Sequence, residues 1–384
     1  MIRTIHFINF VRKLTVTTAL FLAPFHFLKL GFGGLEIGFV VLSFSVAPIV
    51  FSFPTGWMND RLSMKRVILA ALVGQGIVFL LIGLAGSAGL MALAFLLLGL
   101  ANNALDVSAN SLYYKDETDR NANRKYGLYN FWLAAGPPVG FAIGGFVAFH
   151  WGYRNLLAVL AALTVASAVA VRGFGAEKFS VVRLREYRSS VFNRRTLAFA
   201  AFLFVLALHW GVEGTVYGPF LRDRFGLDEQ QVALYMALAY LGISGASLLV
   251  SRLRYDPRRN RRLLLFGMAL SGLGLVLMVC KDVRLSFVFR VVHESGDGLM
   301  GTLLLLTISR LFEKRTIGGS AGMLMSFQTA GQMTGAMVFS SIGYRVGLQV
   351  PVFLAGALLV ANAAFGLFAV PRERAGPAAA APAA

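Results

Sequence analysis

Twelve apolar runs of about 20 residues, each long enough to cross about 30 Å of hydrocarbon, take up most of the chain. Nothing else in the sequence limits the fold so tightly. A bilayer core offers no water to an unpaired backbone group, so each run must be a helix that satisfies its own hydrogen bonds. The runs are predicted at 7–30, 36–57, 66–85, 89–113, 126–149, 153–171, 196–221, 229–251, 263–280, 285–311, 319–344 and 347–370. Composition agrees: 57% of the residues are hydrophobic and 14% charged, too oily for a surface that meets water. The 41 glycines suit helices packing closely in lipid. The first run follows basic residues as a secretory signal would, but Pro24, His26 and Lys29 stand where a cleavage site would lie, so it is read as the first helix. The one cysteine, Cys280, excludes an internal disulfide.

A net charge of +18 could point to nucleic acid, but the positions of the charges explain it otherwise. With the N-terminus inside, 28 of the 36 Lys and Arg fall on the cytoplasmic face, Arg12 and Lys13 counted among them, against seven on the other. Loops rich in Lys and Arg stay in the cytoplasm, so both termini are expected inside a cytoplasmic membrane and no nucleic-acid partner is implied. The longest internal polar stretch, 174–195, divides the chain into bundles at 1–173 and 196–371, with a disordered tail at 372–384.

A fixed offset of 191 residues relates the two parts. Gly152-Tyr153-Arg154 recurs as Gly343-Tyr344-Arg345, Asp106 maps to Asp297, Gly127 to Gly318, and Gly140 with Gly144 to Gly331 with Gly335. Six crossings per repeat return the chain to the same side, so the repeats are parallel. The fold class is therefore all-α integral membrane, twelve transmembrane helices in two parallel pseudo-symmetric six-helix bundles.

After the second run the chain reads Gly56-Trp-Met-Asn-Asp60-Arg61-Leu-Ser63-Met-Lys65-Arg66. This resembles the signature loop of the major facilitator superfamily, with Ser63 where a glycine is usual. Loop position, twelve helices, basic central linker and parallel repeat all fit that family. The resemblance implies that Asp60, Arg61 and Arg66, beside Gly56, hold the cytoplasmic ends of the halves together. An aspartate near a helix N-terminus also meets the positive end of the helix dipole. The equivalent loop of the second half, 252–262, keeps its arginines and lacks the Asp-Arg pair. In the fifth run, Gly136-Pro137-Pro138-Val139-Gly140 is similar to the core of a motif found in drug/proton antiporters, and it also suits a packing kink. The stretch 99–110 resembles a region of sugar/proton symporters.

Charges at mid-bilayer cost about 2.5 to 3.5 kcal/mol even on lenient scales, so those present must serve a purpose. At ~100° per residue, Arg290, His293, Glu294 and Asp297 form one stripe of the tenth run. Asn102, Asn103, Asp106 and Asn110 form another on the fourth, and His209 and Glu213 share a face of the seventh. In the family these helices line the central cavity. Asn102, Asn103, Asp106, Asn110, His209, Glu213, Arg290 and His293 are the expected solute-binding residues. Carboxylates and histidines in such a cavity exchange protons near neutral pH, which assigns proton coupling to Glu213, His293, Glu294 and Asp297. A buried self-neutralising network, Arg290 with Glu294 and His293 with Asp297, is the competing reading.

The expected activity is proton-coupled efflux of a small organic solute by alternating access, from a monomer in contact with lipid and without a cofactor. Sugar-like import is one alternative. Transport of a divalent metal or chelate, through His209, Glu213, His293, Glu294 and Asp297, is another. A receptor on a transporter fold would carry long extra loops, which the sequence lacks, and no catalytic motif suggests an enzyme.

Overall fold

The computed structural model describes residues 2–116, 121–173 and 182–372. Its helices are α1 (Ile2–Lys29), α2 (Gly34–Arg61), α3 (Met64–Leu84), α4 (Ala88–Lys115), α5 (Ala122–Ser167), α6 (Leu184–Val191), α7 (Arg194–Val212), α8 (Gly218–Phe225), α9 (Glu229–Arg252), α10 (Pro257–Leu277), α11 (Val283–Leu311), α12 (Ile317–Val346) and α13 (Gln349–Ala369). Among the described residues there is no strand. Polar side chains set where the helices begin: Ser63, Ser87, Asn193, Asp228, Asp256 and Asp282 each accept the backbone N–H three residues on.

Twelve crossings result, because α5 is two helices joined at Gly152 and because α7 and α8 make one crossing. At Gly152 φ is 81°, a conformation that only a residue without Cβ adopts freely. Between α7 and α8 the chain widens into a π turn, Glu213–Tyr217. Pro219 lacks the N–H that would bond one turn back, which leaves the helical ladder open there.

Among the described residues, nine helices are long and apolar enough to cross a membrane by composition, one of them spanning both crossings of α5. The other two, α11 and α12, fall short for physical reasons. Helix α11 carries Arg290, His293, Glu294 and Asp297, and α12 is rich in Gly and Ser, so both suit protein neighbours better than lipid.

The repeat is visible in the packing. Gly140 and Gly144 let α5 approach Leu14 and Thr18 of α1, while Gly331 and Gly335 let α12 approach Phe204 and Leu208 of α7. Gly127 lies against Ser247 and Ser251 of α9, and Gly318 lies against Gly56 and Asp60 of α2. Those two contacts join the bundles, and the offset relates them as well: Gly56 corresponds to Ser247 and Asp60 to Ser251.

Two expectations need correction. The match of Gly152 to Gly343 does not hold, since Gly343 is helical and the left-handed glycine of that corner is Gly347, φ 111°. The signature loop is largely helix, with Asp60 and Arg61 in the last turn of α2. The polar linker between the bundles contains the short helix α6. The remaining linker residues, 174–181, and the expected tail from 373 lie outside the described residues.

Candidate functional site

Each bundle carries a wall of buried polar side chains, one on α1 and α4 and one on α7, α10 and α11. On the first, the Arg12 guanidinium of α1 donates to Asp106 Oδ1 at 2.8 Å and to Asn102 Oδ1 at 3.2 Å. Asn110 Nδ2 donates to Asp106 Oδ1 at 3.4 Å, and Tyr129 donates its hydroxyl to Asn110 at 2.5 Å. Arg12 is buried, whereas the Asp106 side chain is 26% exposed. Asn103 leaves this cluster, accepting from Ser52 of α2 at 2.6 Å. Arg12 and Lys13, counted above as cytoplasmic anchors, lie well inside α1 instead. Basic residues near a chain start look like a topology signal, and no periodicity separates the two cases.

The second wall joins α7, the π turn, α10 and α11. Arg290 holds Glu213 with both ends of its fork, at 3.1 and 3.3 Å, and Glu294 at 2.5 Å. Its guanidinium also lies 4.4 Å from the Tyr217 ring centre. His293 Nε2 contacts Glu213, and its Nδ1 lies 2.9 Å from Ser271 Oγ. That hydroxyl donates to Asp297 Oδ1 at 2.6 Å. Asp297 Oδ2 lies 3.3 Å from His209 Nε2 and accepts from Trp210 at 3.1 Å. The expected Arg290–Glu294 pair is present, but His293 and Asp297 meet through Ser271, and Glu213 is shared by Arg290 and His293. Ser271, Trp210 and Tyr217 escaped the sequence reading because a helical stripe does not show what its neighbours supply.

One hydrogen-bonded chain thus runs Glu213, His293, Ser271, Asp297, His209. Its members are almost wholly buried, with 12% of the Glu213 side chain exposed. Ligand atoms of His209, Glu213 and His293, and of His293, Glu294 and Asp297, come within 4.8 Å of one another. A divalent ion among them would stand beside the Arg290 guanidinium, which already holds two of the carboxylates. The donor set therefore suits a proton better than a metal.

The bundles are closed on the face that carries α6. Asp60, fully buried at the end of α2, accepts the backbone N–H groups of Gly318 at 3.1 Å and Gly319 at 2.9 Å, the first turn of α12. The aspartate does meet a helix N-terminus, and it belongs to the other bundle. Lys115 at 2.7 Å and the Tyr187 hydroxyl of α6 at 2.7 Å complete its partners. Burial, and then the Asp60 charge, raise the Tyr187 phenol above its ordinary pKa, so it remains the donor. A side chain at Gly319 would strike the Tyr187 ring, and one at Gly56 would strike the α12 backbone. Arg61 lies over Trp57 and donates to the Val182 carbonyl at 2.9 Å. Arg66 is exposed and is not among the partners of Asp60. Along the other seam Asn130 donates to Ser247 at 2.8 Å, and Asn123 and Asn260 exchange amide bonds of 3.1 and 2.6 Å. Gly136 and Gly140 lie against the α1 backbone, next to a buried Pro137 inside α5, so the Gly-Pro core is a helix contact here.

Two six-helix bundles that meet along two seams, together with the family match and relatives below, make this a multi-pass membrane transporter, not an enzyme. The chain belongs to the Major Facilitator Superfamily, whose model matches residues 5–260 and 197–384. It is 22% identical to the multidrug resistance protein MdtG of Klebsiella pneumoniae (strain 342) over 83% of this chain and 80% of that one. It is 24% identical to the probable sulfoacetate transporter SauU of Cupriavidus necator, over 95% and 91%. Among solved structures it is similar to the human organic anion transporter MFSD10, with a TM-score of 0.77 and 13% identity over 94% of this chain and 98% of that one.

Proposed function

We propose that the protein exports a small organic solute across the cytoplasmic membrane in exchange for protons, as a monomer with both termini in the cytoplasm. The carrying observation is the hydrogen-bonded chain from Glu213 to His209, in which carboxylates and imidazoles alternate through a buried path. Glu213, the most exposed member, would receive the proton from the cavity. His293 and Asp297 would pass and hold it, and Glu294 would share the Arg290 charge. Asn102, Asp106 and Asn110 would offer hydrogen bonds to the solute, Asn103 would brace α4 on α2, and His209, Glu213, Arg290 and His293 would form the facing wall. The name of the MdtG relatives favours efflux.

In this reading residues 1–173 and 196–371 rock about the cavity, and the closed face is the cytoplasmic one, so the structure corresponds to an outward-open state. Gly56, Asp60 and Arg61 would form the cytoplasmic gate, Arg66 would act on it only in another state, and Gly136, Pro137 and Gly140 would act as the α1–α5 bearing. The test uses purified protein in proteoliposomes carrying an internal pH dye. Glu213→Gln, His293→Gln, Glu294→Gln and Asp297→Asn are each expected to uncouple solute-driven proton movement. Wild-type coupling in all four would refute the proposal.

A further inference from the structure

Among the described residues, Lys13 lacks a counter-charge of its own. It stands near the midpoint of α1 and is half-buried, with its Cβ against Gly136 of α5. The charged neighbours beside it in the first wall are Arg12 and Asp106. Arg12 and Asp106 are bound to each other at 2.8 Å and form a neutral pair. Among the described residues the Lys13 ammonium has neither an ion-pair partner nor a hydrogen bond, and Thr17 donates to its backbone carbonyl. The first wall is thus left with one uncompensated positive charge.

Its direction follows from the neighbours of α1. Thr15 accepts from Gln75 of α3 at 3.4 Å, and the Ala19 carbonyl accepts from Tyr153 at 2.8 Å, so that side of α1 faces its own bundle. At ~100° per residue, Lys13 lies roughly opposite this side. It falls between the direction of Arg12, toward α4, and that of Leu14 and Thr18, toward α5. A buried, unpaired ammonium in protein of low dielectric is costly unless an anion joins it.

We propose that Lys13, backed by the neutral Arg12–Asp106 pair and the Asn102 amide, is the docking point for an anionic group of the transported solute, a carboxylate, sulfonate or phosphonate. This rests on the transporter reading above and adds the charge of the cargo. In the second wall Arg290 is taken up by Glu213 and Glu294, and His293 and His209 by Glu213 and Asp297, so the cations there are already paired and the anionic group would turn toward α1.

The experiment uses the full chain in lipid nanodiscs and four probes: sulfoacetate and benzoate as anions, benzamide as a neutral isostere and benzyltrimethylammonium as a cation. Binding is read as the dose-dependent rise in melting temperature. Both anions should stabilise the wild type more than the other two. Lys13→Gln should weaken the anions about tenfold, as expected for losing one charge-assisted contact, and Lys13→Arg should restore most of the affinity. Melting of each variant without probe separates misfolding from lost binding. Equal binding of the amide or the cation, no binding of either anion, or unchanged anion affinity in Lys13→Gln would overturn the proposal. Solute-driven proton movement in proteoliposomes reads the transporter proposal independently. A protein that moves protons with the cationic probe and ignores the anions refutes the anion site alone.

Discussion

Asp106 and Asp297 stand at equivalent positions of the repeat, yet their surroundings differ in kind. Asp106 is held by a guanidinium from α1, which stays charged at every physiological pH. Asp297 is held by an imidazole and an indole from the corresponding helix α7 and by the Ser271 hydroxyl of α10. The seams show a similar division. Asp60 ties α2 to α12 with a buried charge, and its counterpart Ser251 leaves α5 and α9 to small residues and neutral amides. Equal backbones have thus received unequal chemistry: a carboxylate held by a guanidinium in the first wall, its counterpart held by an imidazole in the second, and, among the described residues, a buried ionic contact on one seam only. In the proposed cycle the symmetric scaffold would rock, and this asymmetry would decide where a proton or a solute acts.

The largest effect that would break this comparison comes from the two arginines. Arg290→Gln leaves Glu213 and Glu294 without their cation, and a loss of about 3 to 5 kcal/mol is expected, read as a fall in melting temperature in detergent. Arg12→Gln strands one partly exposed carboxylate and should cost less, about 1 to 3 kcal/mol. Equal losses would mean that the walls are equivalent after all.

The seams come next. Asp60→Asn weakens the contacts to the α12 N-terminus and to Lys115 together and should favour opening by about 2 kcal/mol. Tyr187→Phe removes one donor and should favour it by about 1 kcal/mol. Both are measured as the labelling rate of a cysteine placed at Ser52 in a Cys280→Ser background. Asn260→Ala on the neutral seam should act no more strongly than Tyr187→Phe.

The smallest effect separates the walls by role. His209→Gln should slow solute-driven proton movement and leave the apparent affinity for solute in place, whereas Asp106→Asn, which loses the Arg12 contact, should weaken that affinity. The measurement is initial proteoliposome flux over a range of solute concentrations with an internal pH dye, and an unchanged affinity in Asp106→Asn would count against placing the solute at the first wall.

The twelve crossings and the repeat were legible because hydrocarbon thickness and small-residue contacts act along one helix at a time. The stripes on α4, α7 and α11 were legible for the same reason. What joins the stripes was not. Ser271 is one hydroxyl on an apolar helix, and its place between His293 and Asp297 depends on how α10 meets α11. Tyr187 belongs to a polar linker, and its bond to Asp60 bridges 127 positions. Arg12 and Lys13 were misread because a basic residue near the chain start has the same signature outside the membrane as within it. One signal was available: the 191-residue offset, applied to Gly56 and Asp60, points to Ser247 and Ser251, the residues that face Gly127.

The π turn at Glu213–Tyr217 carries a mechanical consequence. It stores one residue more than an α turn, so tightening it would spin α8 by about 100° relative to α7 without breaking either helix. Glu213 opens that turn and Tyr217, beneath the Arg290 guanidinium, ends it. In the proposed exchange, a change of charge at the carboxylate would therefore reach α8 as torque, with the π turn as its transmission.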